Sequence, residues 1–192
     1  MKKIFTMVAL IGAVMCANAQ TKEELKAERQ AMKSEINSQK TVDRDAKIAE
    51  LAEMSHTVQT TGLNSVDGLS TSCMGFLNTV ISTNDVLKEY KTEVKDNGDG
   101  EVDITKYKAH LDDYVNLANG LALASTQIAE ASKELAKATD DVKTVKDPRQ
   151  VRPVKISVNF SKEALPVCAD EVAFLTKLVN NLIQSIKASD NY

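Results

Sequence analysis

Cys73 and Cys168 are the residues whose type and position point most directly to a covalent bond. The third cysteine, Cys16, lies in an N-terminal segment that we expect to be removed. Two remaining cysteines in an oxidising compartment favour a disulfide. Both lie on apolar stripes of predicted helices, and their heights differ by only about 5 Å if those helices run parallel and end level. We therefore predict a Cys73–Cys168 disulfide, and two buried free thiols are the alternative.

The segment Lys95–Lys106 carries oxygen-bearing side chains in the order of a calcium loop. Asn97, Asp99 and Asp103 take the third, fifth and ninth positions and Gly100 takes the sixth, so the segment resembles an EF-hand or dockerin loop. The first and twelfth positions are both lysine, however, and two ammonium groups repel a cation. We interpret the segment as a turn between helices, with Asn97, Asp99 and Asp103 as a cation-loop candidate.

Motifs of the common catalytic and cofactor chemistries are missing from the sequence. His56 and His110 are the only histidines, and no spacing brings three zinc ligands together. The haem-attachment, nucleophile-elbow, P-loop and dinucleotide-binding motifs are absent as well. We predict a protein that is not an enzyme and needs no metal or cofactor. An active site assembled from scattered polar residues would leave no such motif and stays open.

Five cations follow one another at three-residue intervals between residues 143 and 155, against Asp147 as the one acid among them. Four of them form the basic cluster named here: Lys146, Arg149, Arg152 and Lys155. Such a run fits an anionic surface, an acidic partner or the acidic first helix, although most such runs are simply solvated. The basic cluster is therefore a candidate contact site.

Long helices with one apolar stripe must position these residues. A 3-4 spacing of apolar and small residues runs from Ile104 to Val142, which is typical of a long helix packed along other helices. We predict helices over 22–58, 63–94, 103–145 and 162–188, with 59–70 as an alternative loop. The part before residue 41 is so charged that we expect an exposed or frayed helix there.

The segment 143–160 reads differently from the four helices. Pro148 and Pro153 interrupt a helix, and apolar residues alternate with polar ones from Val154 to Phe160. We predict an extended strap along the bundle. The predicted fold is thus all-α, an antiparallel four-helix bundle with coiled-coil-like helices and a strap before the last helix.

Residues 1–19 resemble a bacterial export signal. Lys2 and Lys3 precede a short apolar stretch, and Ala17-Asn18-Ala19 supplies small residues for cleavage before Gln20. Lipidation at Cys16 is the alternative, although Met15 is large for a lipobox. We predict a signal peptide (1–19), a charged, partly exposed helical arm (20–40) and a bundle domain (41–192), in a protein that is periplasmic or secreted.

Composition and charge narrow the function further. The formal charge is −3, and losing Lys2 and Lys3 makes it −5, which argues against nucleic acid as a partner. We predict an exported non-enzymatic bundle that acts through a protein partner or an envelope component, with membrane contact and homo-oligomers open. The alternative is a membrane-active effector resembling α-helical pore-forming toxins. A bundle with a small-molecule cavity between its helices is a third hypothesis.

Overall fold

The computed structural model describes residues 20–190, and over this range the chain is all-helical with five α-helices packed together. These are α1 (Lys22–Ile36), α2 (Gln39–Ser55), α3 (Asn64–Asp96), α4 (Leu111–Val142) and α5 (Pro148–Asp190), with a 3-10 helix (Ile104–His110) before α4. The all-α prediction is confirmed. The predicted signal peptide, residues 1–19, lies outside the described residues.

The predicted first helix is two helices, α1 and α2, separated at Asn37 and Ser38. The Ser38 hydroxyl donates to the Glu35 carbonyl (2.6 Å) and accepts from the Thr41 amide (3.3 Å), so it closes one helix and caps the next. Thr21 starts α1 with a capping box. The chain therefore bends between the two helices while the hydrogen-bonding groups at the bend stay satisfied.

The charged first helix is held against the rest of the protein. Its four buried residues, Leu25, Arg29, Met32 and Ile36, follow one another at 4-3-4 spacing. They face α3 and α5, which α1 contacts along its length. The thin apolar stripe is sufficient to pack α1 against the protein because the buried side chain of Arg29 extends the buried face.

The predicted strap is wrong, because residues 148–160 form the first turns of the 43-residue helix α5. Pro148 stands at the first helical position, where a missing N–H costs nothing, and Pro153 lies only one turn further in. The alternation arises because α5 has neighbours on several sides and therefore a wide apolar surface. Along this stretch Val154, Val158 and Phe160 are buried and Ile156 is half-buried.

Helix α5 is the centre of the molecule. It contacts α1, α2, α3, α4 and the 3-10 helix. Six consecutive residues, 171–176, are buried, which is possible only where a helix is covered all round. The hydrophobic core therefore lies around α5, and the other helices bury their stripes against it.

Hydrogen bonds fix the directions of the three long helices. Ser65 near the start of α3 donates to Asp141 at the end of α4 (2.5 Å), so α3 and α4 run in opposite directions. Asn84 donates to Glu171 (2.9 Å), and Tyr90 donates to Asn181 (2.7 Å). Since residue numbers rise together in these two pairs, α3 and α5 are parallel.

Candidate functional site

The basic cluster lies at the end of the molecule where α4 turns into α5. Lys146 precedes α5, and Arg149, Arg152 and Lys155 lie on its first turns. All four side chains are exposed, and none forms an ion pair with any residue between 20 and 190. The structure therefore places the predicted cations together on a helix rather than along an extended strap.

The carboxylates at this end of the molecule accept hydrogen bonds from groups other than the basic cluster. Both carboxylate oxygens of Asp67 accept from the amides of Thr61 (2.8 Å) and Gly62 (2.9 Å), which lie beside α5. Asp141 accepts from Ser65, and Asp147 accepts from the Arg149 amide (2.9 Å). Each carboxylate thus helps to shape a turn or a helix end, and the cations of the basic cluster keep their charge available to a partner.

The cation-loop candidates lie in the turn between α3 and the 3-10 helix, where each one closes its own backbone. Asp99 accepts from the Glu101 amide (3.1 Å), which holds the pKa of that carboxyl below its usual range. Asp103 accepts from the hydroxyl (2.5 Å) and amide (3.1 Å) of Thr105, with the same effect on its pKa. Asn97 donates to the Glu101 carbonyl. The three side chains stabilise the turn.

Helix α1 occupies the outer face of the same turn. Its side chains bind three backbone carbonyls and one carboxylate: Lys33 to the Asn97 carbonyl (3.1 Å), Gln30 to the Asp99 carbonyl (3.2 Å), Arg29 to the Gly100 carbonyl (2.6 Å) and Lys26 to the Glu101 carboxylate (2.8 Å). The Glu101 carbonyl, which holds the position of the backbone ligand in a calcium loop, accepts from Asn97. The turn therefore anchors α1 to the rest of the protein through hydrogen bonds.

No three His, Cys, Asp or Glu side chains within residues 20–190 are placed to hold a metal ion together. His56 is exposed, and His110 is exposed beside Asp113 at 3.2 Å. None of the described helices is both long enough and apolar enough to cross a bilayer.

The predicted disulfide is wrong: Cys73 and Cys168 are both free and fully buried, and they lie beyond disulfide distance. The Cys73 thiol is hydrogen-bonded to Ser161, which precedes Cys168 by about 10 Å of helix. The two cysteines are therefore not at similar height, as the prediction assumed, and a disulfide needs Cα atoms within about 7 Å. Burial raises the pKa of Cys73 to about 11 and that of Cys168 to about 12, so both are inert thiols.

A buried ion pair, Arg44 on α2 with Glu171 on α5, was not predicted. The two residues are 7% and 0% exposed, and their side chains are in direct contact. Asn84 donates to the second carboxylate oxygen at 2.9 Å, and the Arg44 guanidinium lies 4.9 Å from the centre of the Phe174 ring. The pair joins three helices at one point in the core.

A second buried polar group centres on Arg29 of α1. Its Nη1 donates to Ser185 (2.8 Å) and its Nε to the Gly100 carbonyl, while Asn181 accepts from Tyr90 (2.7 Å) and donates to the Leu25 carbonyl (3.1 Å). Burial raises the pKa of Tyr90 to about 12, so the phenol remains a donor. These hydrogen bonds connect α1 with α3, α5 and the turn.

The sequence does contain a signal for both groups. Arg29 falls between Leu25 and Met32 at 4-3 spacing, and Arg44 precedes Ile48 and Leu51 in the same way. A charged residue on an apolar stripe either lies at a helix edge or is buried with partners. A helix pattern defined by apolar residues alone does not detect buried charged positions such as Arg29 and Arg44.

Comparison with known proteins gives no match: no family model, no curated protein and no solved structure is similar enough to this chain to indicate its family.

Proposed function

We propose that this protein is an exported, non-enzymatic helical bundle that acts by binding an acidic partner protein or an anionic envelope component through its basic cluster. The observation that carries the proposal is the charge at the α4–α5 end, where four exposed cations have no ion-pair partner among residues 20–190. The chain as a whole is acidic, with a formal charge of −3, so the cluster stands against the general trend.

The position of the cations on α5 supports a role in binding. Lys146, Arg149 and Arg152 surround the amino end of a helix, which carries a partial positive charge of its own. Cations at this end cost the folded state about 0.3–1 kcal/mol each at low ionic strength. Because they are exposed and form no ion pair among residues 20–190, they contribute little to the fold, whereas an anionic partner would meet their charge and that of the helix end together.

The arrangement of the helices supports a finer version of the predicted fold, in which α1 and α2 together make one member of an antiparallel four-helix bundle. Besides the buried Arg44–Glu171 pair, three ion pairs join them to α5: Glu35 with Lys177 (3.3 Å), Lys40 with Asp170 (3.4 Å) and Lys47 with Glu163 (2.5 Å). Along these three, rising numbers on α1 and α2 meet falling numbers on α5, as antiparallel helices require. The basic cluster would then occupy one end of a rod about 64 Å long, the length of the 43-residue helix α5.

The test is recovery of partners from envelope extract with the full chain and a neutralised variant. Replacing the four cations of the basic cluster by Gln removes four charges from one place. The matched control replaces four exposed lysines elsewhere by Gln: Lys88, Lys95, Lys137 and Lys187. Both variants have the same net charge, so general electrostatics affects them equally.

We expect the cluster variant to lose at least about tenfold of the partner recovered by the native chain, the control to retain it, and added salt to weaken native binding. Equal recovery by the two variants would overturn the proposal. Dye release from sealed vesicles by the native chain, without a protein partner, would favour a membrane-active effector instead.

A further inference from the structure

A cleft of about 240 Å³ lies between the start of α1, the turn before the 3-10 helix and the end of α5. Arg29 lines it together with the hydroxyls of Ser185 and Ser189, Lys26 stands beside them, and Val102 and Ile104 add an apolar wall. We propose that this cleft binds a small organic anion, a carboxylate or phosphate with a short apolar part, through the guanidinium of Arg29. The inference does not depend on the basic cluster, which lies at the opposite end of α5.

The charge of Arg29 is the first argument. The residue is only 6% exposed, yet the three groups it donates to are neutral: the Gly100 carbonyl, the Asn181 side-chain carbonyl (3.4 Å) and the Ser185 hydroxyl. No carboxylate of residues 20–190 forms an ion pair with it. A buried guanidinium without a counter-ion is costly, and proteins normally pair it.

The other buried arginine shows what pairing looks like in this same molecule. Arg44 is as deeply buried as Arg29, and the carboxylate of Glu171 lies directly against it. Arg29 has no equivalent of Glu171. Its place is at the wall of an open cleft instead of inside the core, so a diffusible anion has access to it.

The rest of the lining does not cancel the charge. The rim carries Glu23 and Glu101, and it carries Lys22 and Lys26 in equal number, with Lys26 bound to Glu101 at 2.8 Å. Among the lining residues the charge of Arg29 is therefore left over. Outside the lining, the nearest carboxylate of its network is that of Glu28, which accepts from Asn181 (2.9 Å) and not from Arg29 itself. Its Nε and Nη1 make the three hydrogen bonds described, and Nη2 takes part in none of them.

Arginine presents its N–H groups as a rigid fork that matches the oxygens of carboxylate and phosphate. Nη2 of Arg29 is therefore the donor that the cleft offers to an anion. The Ser185 and Ser189 hydroxyls beside it donate to Asn181 Oδ1 (3.5 Å) and to the Ile186 carbonyl (2.7 Å), and each would turn from that acceptor to bind an anion. Its volume is at the small end for ligand sites, which sets the size of the ligand at a few to about ten heavy atoms. Val102 and Ile104 favour a ligand with an apolar part over a bare ion.

Titration of the purified full chain, followed by NMR shifts of the cleft residues, tests the proposal. The probes are inorganic phosphate, butyrate and butyramide, the last being the neutral counterpart of butyrate. We expect saturable shifts with butyrate in the millimolar range, weaker ones with phosphate, and none with butyramide. Absence of saturable shifts with both anions, or equal response to butyramide, would overturn the proposal.

Variants locate the binding. Arg29→Gln should weaken butyrate binding by about tenfold to a hundredfold, since a hydrogen bond to a charged group is lost. If that variant fails to fold, Lys26→Gln and Ser189→Ala change the rim without touching the buried network, and each should weaken binding severalfold. Lys33→Gln is the matched control, because Lys33 lies one turn beyond Arg29 on α1 and outside the cleft. Undiminished binding in folded rim variants, or equal weakening by Lys33→Gln, would place the anion elsewhere and overturn the proposal.

Discussion

Arg44 and Glu171 lie on helices that are far apart in sequence and meet in the core, where neither side chain reaches water. The pair links α2 to α5 at a position where α2 has few apolar side chains, since Ile48 and Leu51 are its buried aliphatic residues. Removing one partner would leave the other as an isolated buried charge. The loss of one partner alone is therefore the change that destabilises the fold most.

We predict that Arg44→Met and Glu171→Leu, made singly, each lower the free energy of unfolding by about 3–5 kcal/mol. The double variant should lose less than the sum, because it leaves no unpaired charge and replaces the pair by apolar side chains. Urea denaturation of the native chain and the three variants measures this coupling.

Lys47 and Glu163 provide the control for this cycle, because they also join α2 to α5 (2.5 Å) but remain partly exposed. Lys47→Ala should change the free energy of unfolding by less than about 1 kcal/mol. Equal effects at Lys47 and Arg44 would contradict the distinction between a surface pair and a buried one.

At the level of single residues, the sequence predicted a disulfide that is not formed and did not predict the buried charges, and each error has a physical reason. Cys73 and Cys168 were predicted to bond because their helices were assumed to end level, whereas the packed structure places Cys73 beside Ser161, about 10 Å of helix before Cys168. Arg29 and Glu171 were not predicted, because the meaning of a charged residue on an apolar stripe depends on what faces it. The positions Asn97, Asp99 and Asp103 were correctly interpreted as parts of a turn.

Helix α5 shows how proline is accommodated within one long element. Pro148 takes the first position, while Pro153 and Pro166 lie inside the helix and each removes a hydrogen bond to the preceding turn. Packing of α5 against the other four α-helices and the 3-10 helix compensates for this loss. The helix therefore forms across residues that local propensity would assign to an interruption.

We predict that Pro166→Ala stabilises the protein by up to about 3 kcal/mol, because it restores a backbone donor in the helix interior at an exposed position. Pro148→Ala is the matched control and should change stability little, since the first helical N–H has no partner within the helix. Thermal unfolding of the two variants gives the comparison. A stabilisation at residue 148 as large as that at 166 would contradict the argument.

The elements that the sequence predicted best are those with a regular stripe on one face. The segments Asn64–Asp96 and Leu111–Val142 are helical nearly as predicted, and the turn between them contains the expected Asn97–Gly100 stretch. Residues 148–160 were misjudged because a period of two and a helix buried on several sides both place apolar residues close together. The break at Ser38 was also missed, because a single serine within a charged helix gives a weak signal before its capping contacts are known.

The stability of the whole molecule should decline at alkaline pH. Burial raises the pKa of Cys73 to about 11 and that of Cys168 to about 12, whereas the thiols of an unfolded chain titrate near 9.0. The native state therefore keeps protons that the unfolded state loses. The stabilisation is fully present below about pH 9 and is lost as the pH rises toward 11 and 12.

We predict that each thiol lowers the free energy of unfolding by about 0.7 kcal/mol per pH unit at pH 9, a slope that approaches about 1.4 at higher pH. Urea midpoints measured between about pH 8 and 9.5 give the onset of this slope while the phenols of Tyr90, Tyr107 and Tyr114, which titrate near 10.0 when unfolded, contribute little. The Cys73→Ala/Cys168→Ala variant will start from a lower stability because it leaves cavities. Its slope should nevertheless be nearly flat, and an unchanged slope would contradict the assignment.

Gly100 sets an order for folding during synthesis. Its φ is +77°, and a Cβ there would lie 3.0 Å from the Lys26 carbonyl, so α1 rests directly on the backbone of the turn. The other partners of Arg29, Asn181 and Ser185, belong to the last helix. Helix α1 is synthesised before the other helices, but it can reach its packed position only after nearly the whole chain has been synthesised. Such late, long-range closure is slow, and it leaves α1 without its packing partners until the rest of the molecule is complete.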